Sequence, residues 1–191
     1  MRTGECSRET RETKITVTVK LDGEGTAKAS TGVMFFDHLI KTLTVHSQID
    51  ITVKAQGDLK HHIIEDVAIC LGEALRKAVG EGVGINRFGY AIVPMDDALA
   101  FAAVDLVRRP YHKIELKIDE ETIEDATRED IIHFLETLAS FLQGNIHLWV
   151  QYGTNDHHKV EAAFKALALS LRQAVTASPG QRHVPSAKGT M

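Results

Sequence analysis

The sequence lacks several features, and each absence argues against one class of protein. Its 191 residues include only two cysteines, Cys6 and Cys70, which are too few for the disulfide framework of a small secreted domain. No apolar run approaches the roughly 20 residues that a membrane-spanning helix needs. The N-terminal segment MRTGECSRETRETK contains no apolar stretch of the kind found in a signal peptide. These absences predict a cytoplasmic protein with reduced thiols.

A strong excess of one charge is also missing. The chain has 22 lysines and arginines against 26 aspartates and glutamates, which gives a formal net charge of -4. A protein that binds nucleic acid or an anionic membrane usually carries a basic field or stripe, so neither partner is expected. The hydrophobic content of 43% is ordinary for a globular domain with a core. Histidine, in contrast, is abundant, with ten residues that include two adjacent pairs.

The spacing of apolar residues predicts a mixture of strands and helices. Alternating apolar residues indicate strands, and a turn at 22–25 predicts a hairpin between the first two of them. Apolar residues at helical spacing indicate amphipathic helices. The predicted order in the first half is strands near 15–19 and 26–31, a helix near 36–43, a strand near 49–55 and a helix near 64–79. The predicted order in the second half is strands near 89–94, 98–107 and 112–118, a helix near 127–142, a strand near 146–150 and a helix near 160–175.

The two halves of the chain correspond to each other. The apolar stripe of the last helix lies 96 positions beyond that of the second helix, as Val160 follows Ile64, and Arg76 is matched by Arg172 at the same offset. This predicts an α+β fold built by tandem duplication of a ββαβα unit, with residues 1–85 as the first repeat and 86–191 as the second. Each sheet should be covered by helices on one face. Because a unit of this size has little core of its own, the repeats should pack together as one functional domain.

A short motif occurs once in each repeat and has the composition of a metal site. It reads HHIIE at 61–65 and HHKVE at 157–161. On a helix, residues i and i+4 lie on one face with their Cβ atoms roughly 6 Å apart, so the first histidine and the glutamate can bind one ion together. The second histidine points about 100° away around the axis and can serve another ion. The motif residues are His61, His62 and Glu65 in the first repeat and His157, His158 and Glu161 in the second.

Two further histidines extend this set. His38 and His133 lie in corresponding helices, 23 and 24 positions before the two histidine pairs. Alone, each is typical of a half-buried structural histidine. Together with the motifs they make six histidines and two glutamates, enough for two sites of four protein ligands. Without a thiolate ligand the set does not demand zinc. Four protein ligands with room for substrate or water favour an octahedral ion such as Mn²⁺, although Zn²⁺, Co²⁺ and Fe²⁺ accept the same ligands.

Several sequence blocks resemble a known family. The segments are TGVMFFDH, HHIIED, GINRFGY, PMDDAL, RRPYH, HFLETL, NDHHKVEAAFKALALSLRQAV and VPSAKG. They are similar to the signature blocks of imidazoleglycerol-phosphate dehydratase, run in the family's order and span the chain from Glu12 to Lys188. The resemblance implies a hydro-lyase of histidine biosynthesis that converts imidazoleglycerol phosphate to imidazoleacetol phosphate. It also implies a duplicated fold of a kind that occurs in ribosomal proteins.

The resemblance further implies how the metal ligands are shared. Members of the family bind two Mn²⁺ ions per active site, between the subunits of a large homo-oligomer that is commonly a 24-mer. One ion would be held by His61, Glu65, His133 and His158. The other would be held by His157, Glu161, His38 and His62.

Other residues match family positions that contact the substrate. Arginine and lysine suit phosphate oxygens, and the resemblance assigns phosphate binding to Arg87, Arg109, Lys165, Ser186 and Lys188. It makes Glu12 the first candidate for the general base, beside the catalytic metal-site glutamates Glu65 and Glu161, and leaves the role of Asp96 open. One departure from the family is a shorter loop before His61, where Gly57-Asp58-Leu59-Lys60 runs directly into the motif.

Two other classes of function stay open at this stage. A metal-dependent phosphohydrolase would also combine paired metals with basic residues, but such sites usually use bridging carboxylates, and here there is only one glutamate per ion. A non-catalytic module that binds metal or nucleic acid is the other alternative, and the acidic balance argues against nucleic acid. The expected partners are therefore a small phosphate-bearing substrate and further copies of the chain.

Overall fold

The computed structural model describes residues 1–178, 180 and 183–190, and these form two halves of similar design. The first half contains β1 (Thr3–Glu9), β2 (Thr13–Lys20), β3 (Ala27–Ser30), α1 (Met34–Ser47), β4 (Asp50–Gly57) and α2 (Lys60–Val79). The second half contains β5 (Phe88–Met95), β6 (Ala98–Asp105), β7 (Tyr111–Glu115), the short strands β8 (Thr122–Ile123) and β9 (Ala126–Thr127), α3 (Arg128–Leu142), β10 (Asn145–Tyr152) and α4 (Asp156–Val175). The predicted α+β class is confirmed.

The two main sheets have the same topology. Their strand orders are β1-β2-β4-β3 and β5-β6-β10-β7. In each sheet the last strand runs parallel to its neighbour, β3 to β4 and β7 to β10, while the other pairings are antiparallel. The remaining pair, β8 and β9, forms a separate two-stranded ribbon before α3. The matching order of strands and helices is that of a duplicated unit.

The predicted opening hairpin is wrong in its partners. The strand near 26–31 exists as β3, but it pairs with β4, whereas β2 pairs with β1 and β4. Strand β1 has no clear pattern in the sequence, because its outward residues are polar and its inward residues, Gly4 and Cys6, carry little apolar surface. Gly4 is required there, since a Cβ would lie 1.9 Å from the carbonyl oxygen of Ala74 on α2. Gly89 on β5 makes the same close approach to Ser170 on α4.

The helices form the middle of the molecule and join the halves. In the first half α2 packs on β1 and β2, and in the second α4 packs on β5 and β6, so each sheet has helices on one face. Helices also pack across the halves, α2 against α3 and α1 against α4. The fully buried rings of Phe36, Phe134 and Phe164 lie in series there, with centroid separations of 5.3 and 6.0 Å. The halves therefore share one core, as their small size predicts.

Helix ends place the motif residues at the surface of this core. The side chain of Asn155 caps α4 by accepting a hydrogen bond from the backbone N–H of His158 (3.2 Å). Asp125, in the turn between β8 and β9, accepts from the backbone N–H groups of Met34 and Phe35 at 2.9 Å each and so caps α1 of the other half.

Among the described residues, no helix is both long and apolar enough to cross a membrane.

Candidate metal centre

The first cluster of metal-binding side chains lies where α2 packs against α3. It consists of His61, Glu65 and His133, whose potential ligand atoms all lie within 4.8 Å of one another. Nε2 of His133 is 3.4 Å from Oε1 of Glu65, and the two imidazole rings stack with centroids 5.6 Å apart. Because α2 belongs to the first half and α3 to the second, this cluster requires both halves.

The second cluster lies where α1 packs against α4 and consists of His38, His157 and Glu161. Its ligand atoms also lie within 4.8 Å of one another. Oε2 of Glu161 is 3.5 Å from Nε2 of His38 and 3.3 Å from Nε2 of His157. Again one half supplies one histidine and the other half supplies the helical i, i+4 pair. The two clusters are thus equivalent under the duplication.

Carboxylates fix the orientation of the motif histidines. Nδ1 of His61 is 2.7 Å from Oδ1 of Asp130, a residue that is buried at the start of α3. Nδ1 of His157 is 3.1 Å from Oε1 of Glu124. Since an ionised carboxylate can only accept, each contact places the proton on Nδ1 and leaves the Nε2 lone pair for a metal. This arrangement is typical of histidine ligands.

The remaining two motif histidines lie outside these clusters. Nδ1 of His62 is 2.8 Å from Oδ1 of Asp58 and 3.7 Å from Oε2 of Glu12. Nδ1 of His158 is 2.6 Å from Oδ1 of Asp97. The structure therefore brings together three of the four predicted ligands for each ion within one chain, and it does not bring the fourth, His158 or His62, to its predicted set.

Hydrogen bonds to these histidines shift the pKa values of the groups involved. The hydrogen bond to Asp58, together with the charge of Glu12, raises the pKa of His62. The hydrogen bond from His158, followed by those from the side chain and backbone of Thr154, lowers the pKa of Asp97. His62 and His158 are thus each paired with a carboxylate, as His61 and His157 are.

Glu161 has an additional partner that Glu65 lacks. Its side chain is only 12% exposed, and burial by itself would raise the pKa of the carboxyl group. The hydrogen bond and charge of Lys165, with a smaller contribution from His38, outweigh this and lower the pKa of Glu161. Nζ of Lys165 is 2.8 Å from Oε1 of Glu161.

A separate basic cavity contains most of the predicted phosphate ligands. It has a volume of about 400 Å³ and is lined by Arg87, Arg108, Arg109, Ser186 and Lys188, among others. Arg87 is held in place by Asp105, with Nε to Oδ1 at 2.6 Å and Nη2 to Oδ2 at 3.0 Å. The structure therefore gathers four of the five predicted residues.

Lys165, the fifth predicted phosphate ligand, is not part of that cavity in the same chain. It bonds to Glu161 and also lies 3.1 Å from Sδ of Met95. Glu12, the predicted base, is exposed at the end of the loop before β2, near His62. Asp96 lies in the second half of the chain, and its Oδ2 is 3.5 Å from Nε2 of His158.

Sequence reasoning missed the carboxylates that orient the histidines. Asp130 and His61 are 69 positions apart, and Asp97 and His158 are 61 positions apart. No local pattern connects such pairs. Two signals were available: the acidic start of α3, Glu129-Asp130, which is equally typical of an ordinary helix N-terminus, and the place of Asp97 in the block PMDDAL. Arg108, a further residue of the basic cavity, was also missed.

The fold and the clusters together define a class, a duplicated α+β protein that carries two equivalent histidine–carboxylate clusters at the contacts between its halves. Comparison with known proteins gives a consistent result. The family model for imidazoleglycerol-phosphate dehydratase matches residues 31–171. The imidazoleglycerol-phosphate dehydratase of Methanothermobacter thermautotrophicus is 47% identical, covering 100% of this chain and 98% of the relative. That of Streptococcus sanguinis is 44% identical, covering 100% of both.

Solved structures agree with these relatives. The Pyrococcus furiosus enzyme is 36% identical and superposes with a TM-score of 0.85 over 97% of this chain and 100% of its own. The Staphylococcus aureus imidazoleglycerol-phosphate dehydratase is 28% identical, with a TM-score of 0.85 over 92% of this chain and 99% of its own. The chain belongs to the imidazoleglycerol-phosphate dehydratase family. It is a hydro-lyase of histidine biosynthesis that dehydrates imidazoleglycerol phosphate.

Proposed function

We propose that the dehydration uses two Mn²⁺ ions per active site, each held by one cluster and by one histidine of a neighbouring copy. The first cluster is completed by His158 and the second by His62. The supporting observation is that each cluster offers three ligand atoms within 4.8 Å of one another, while the fourth predicted histidine of the same chain lies elsewhere. Four protein ligands leave two positions of an octahedral ion for substrate or water.

The chemistry of the donor atoms suits such an ion. His38, His133 and His157 face the glutamate of their cluster through Nε2, and neither cluster contains a cysteine. Imidazole and carboxylate ligands without thiolate accept Mn²⁺ and similar divalent ions. When bound, the ions act as Lewis acids that polarise the imidazole ring of the substrate. Glu65 and Glu161 supply the anionic ligand at each ion.

The basic cavity is proposed to bind the phosphate group of the substrate. Arg109 and Lys188 line it with Arg87, whose guanidinium is fixed by Asp105 and by a hydrogen bond to the backbone oxygen of Pro185 (2.9 Å). A fixed guanidinium loses little freedom when it binds an anion. Ser186 can donate a further hydrogen bond, and we assign Lys165 to the same phosphate from another copy.

Glu12 is proposed as the general base. Its side chain is 59% exposed, and Oε2 lies 3.7 Å from Nδ1 of His62. This position beside a proposed ligand lets Glu12 reach a substrate bound at the ion that His62 completes. There it can accept the proton that leaves the substrate carbon after the hydroxyl group on the neighbouring carbon has departed.

An assembly of several copies follows from the shared ligands. Because no single chain completes either set, we propose a homo-oligomer with active sites between subunits, and the family resemblance favours a 24-mer. In it, residues 1–85 and 86–191 act as one functional unit, since both clusters draw on both halves. We also propose the cytoplasm as the compartment, in keeping with two buried cysteines that form no disulfide.

The direct test is to remove metal with a chelator, restore Mn²⁺ and follow formation of imidazoleacetol phosphate. We expect activity to vanish on removal and to return with Mn²⁺. A folded, refilled protein that forms no ketone would refute the proposal, and release of inorganic phosphate would identify a phosphohydrolase instead.

A further inference from the structure

The two clusters are equivalent in geometry but differ at one neighbouring position. Four residues after its glutamate, the first motif has Ile69, and the second has Lys165. On a helix this position lies directly above the glutamate. The duplication therefore places an apolar side chain beside one metal-site carboxylate and a cation beside the other.

Lys165 forms a salt bridge with one oxygen of the Glu161 carboxylate. Its Nζ donates to Oε1 at 2.8 Å, whereas Oε2 is the oxygen that faces His38 and His157. The lysine and glutamate side chains are only 18% and 12% exposed, so water screens this pair weakly. An ion in the second cluster would therefore have one free carboxylate oxygen, Oε2 of Glu161, while the ammonium group of Lys165 is bonded to the other oxygen.

Glu65 in the first cluster is in a different electrostatic setting. Its side chain is 41% exposed, and among the described residues its one ion pair is with His133. Arg8, a cation on the adjacent β1, directs its Nε to Asp66 at 2.7 Å. Both oxygens of Glu65 are therefore available to an ion without competition from a bonded cation.

The imidazole ligands do not compensate for this difference. His61 and His157 each have Nδ1 against a carboxylate, and so do the outer histidines, His62 and His158. The lysine bonded to Glu161 is thus a difference in charge between the two clusters that these contacts do not offset.

We infer that Lys165 makes the two metal sites unequal, so that the second cluster binds a divalent cation more weakly than the first. The inference rests on the proposed binding of metal at both clusters. A like charge close to a weakly screened ion opposes its binding, and we expect an affinity lower by about tenfold, which corresponds to about 1.4 kcal/mol.

The test is a Mn²⁺ titration of the chelator-stripped protein in buffer free of phosphate. The signal of free Mn²⁺ in electron paramagnetic resonance spectra reports the bound fraction directly and does not depend on turnover. We expect two binding classes of one ion per chain each. Glu161→Gln should remove the weaker class and Glu65→Gln the tighter one, which assigns the classes to the clusters.

Two matched variants then test the role of the lysine. Lys165→Met should tighten the weaker class until the two classes merge, while Ile69→Lys, the reverse change at the equivalent position, should weaken the tighter class. Circular dichroism and sedimentation check that each variant keeps its fold and assembly.

Distinct results would overturn the inference and the proposed function. Two ions of equal affinity in the unmodified protein, or a Lys165→Met variant with an unchanged or weakened second class, would refute the role of Lys165 while leaving two-metal binding intact. Failure of the folded, assembled protein to bind Mn²⁺ at all would instead refute the proposed function on which it rests.

Discussion

Asp130 offers a specific test of how the first cluster is organised. Its buried carboxylate accepts from Nδ1 of His61 at 2.7 Å and from Oγ1 of Thr127 at 2.7 Å. Asp130→Asn keeps the size of the side chain, and its amide oxygen can still accept, but it removes the negative charge beside Nδ1 of His61. The cap of α3 survives, because Thr127 accepts from the backbone N–H of residue 130 at 3.0 Å.

The expected loss follows from the position of this carboxylate. Changing the partner of a metal-bound histidine typically costs about 10- to 100-fold in metal affinity or activity, or about 1.4–2.7 kcal/mol. The assays are Mn²⁺ titration and turnover at saturating Mn²⁺, with Glu129→Gln as control. Glu129 is the exposed neighbour of Asp130 in the first turn of α3. If Asp130→Asn and Glu129→Gln bind Mn²⁺ equally well, Asp130 does not support His61.

Three further predictions concern stability and chemistry. Asp125→Ala removes the cap of α1 and should lower the free energy of unfolding of the metal-free protein by about 1–2 kcal/mol in urea titrations, and an unchanged midpoint would contradict the assigned cap. Lys159→Met leaves Asp156 buried without the ammonium that lies 2.8 Å away, and the same titration should show a loss of about 3 kcal/mol. A gain in stability would show that the pair is dispensable. Glu12→Gln should reduce kcat by about 10²-fold or more while Mn²⁺ affinity stays within about threefold, and full turnover would exclude Glu12 as the base.

The duplication could be predicted because the same pattern recurs 96 positions later in the chain. The cluster members could be predicted because the motif residues are closely spaced in sequence. An i, i+4 pair such as His61 and Glu65 lies on one helix face whatever the surroundings, and the repetition at 157–161 supports the same interpretation. His38 and His133 could be added because they occupy corresponding helices. In the structure these residues lie together, three to a cluster.

The features that escaped prediction depend on contacts between distant parts of the chain. The strand β1 has almost no apolar signal, because a glycine and a cysteine suffice where the helix approaches closely. β3 pairs in parallel with β4, which follows it after the crossover through α1, and not with β2, from which it is separated by a turn. In sequence, Lys159 is one of the two residues between the histidine pair and the glutamate of the second motif, and it attracts no attention there. In the structure it is buried against Asp156 and Asp119. The pairing of Lys165 with Glu161 likewise became evident only in three dimensions.

We propose that each active site combines the first cluster of one copy with the second cluster of another. Subunit complementation tests it directly. One inactive variant carries His61→Ala with Glu65→Gln, and the other carries His157→Ala with Glu161→Gln. In mixed oligomers, an intact first cluster meets an intact second cluster at about one quarter of the sites if assembly is random.

We therefore predict that oligomers refolded from an equal mixture, tagged so that mixed assembly can be verified, recover about one quarter of the dehydratase activity of the unmodified protein. Each variant alone should remain inactive. Mixed oligomers that form but show no activity above that of the separate variants would contradict sites shared between copies.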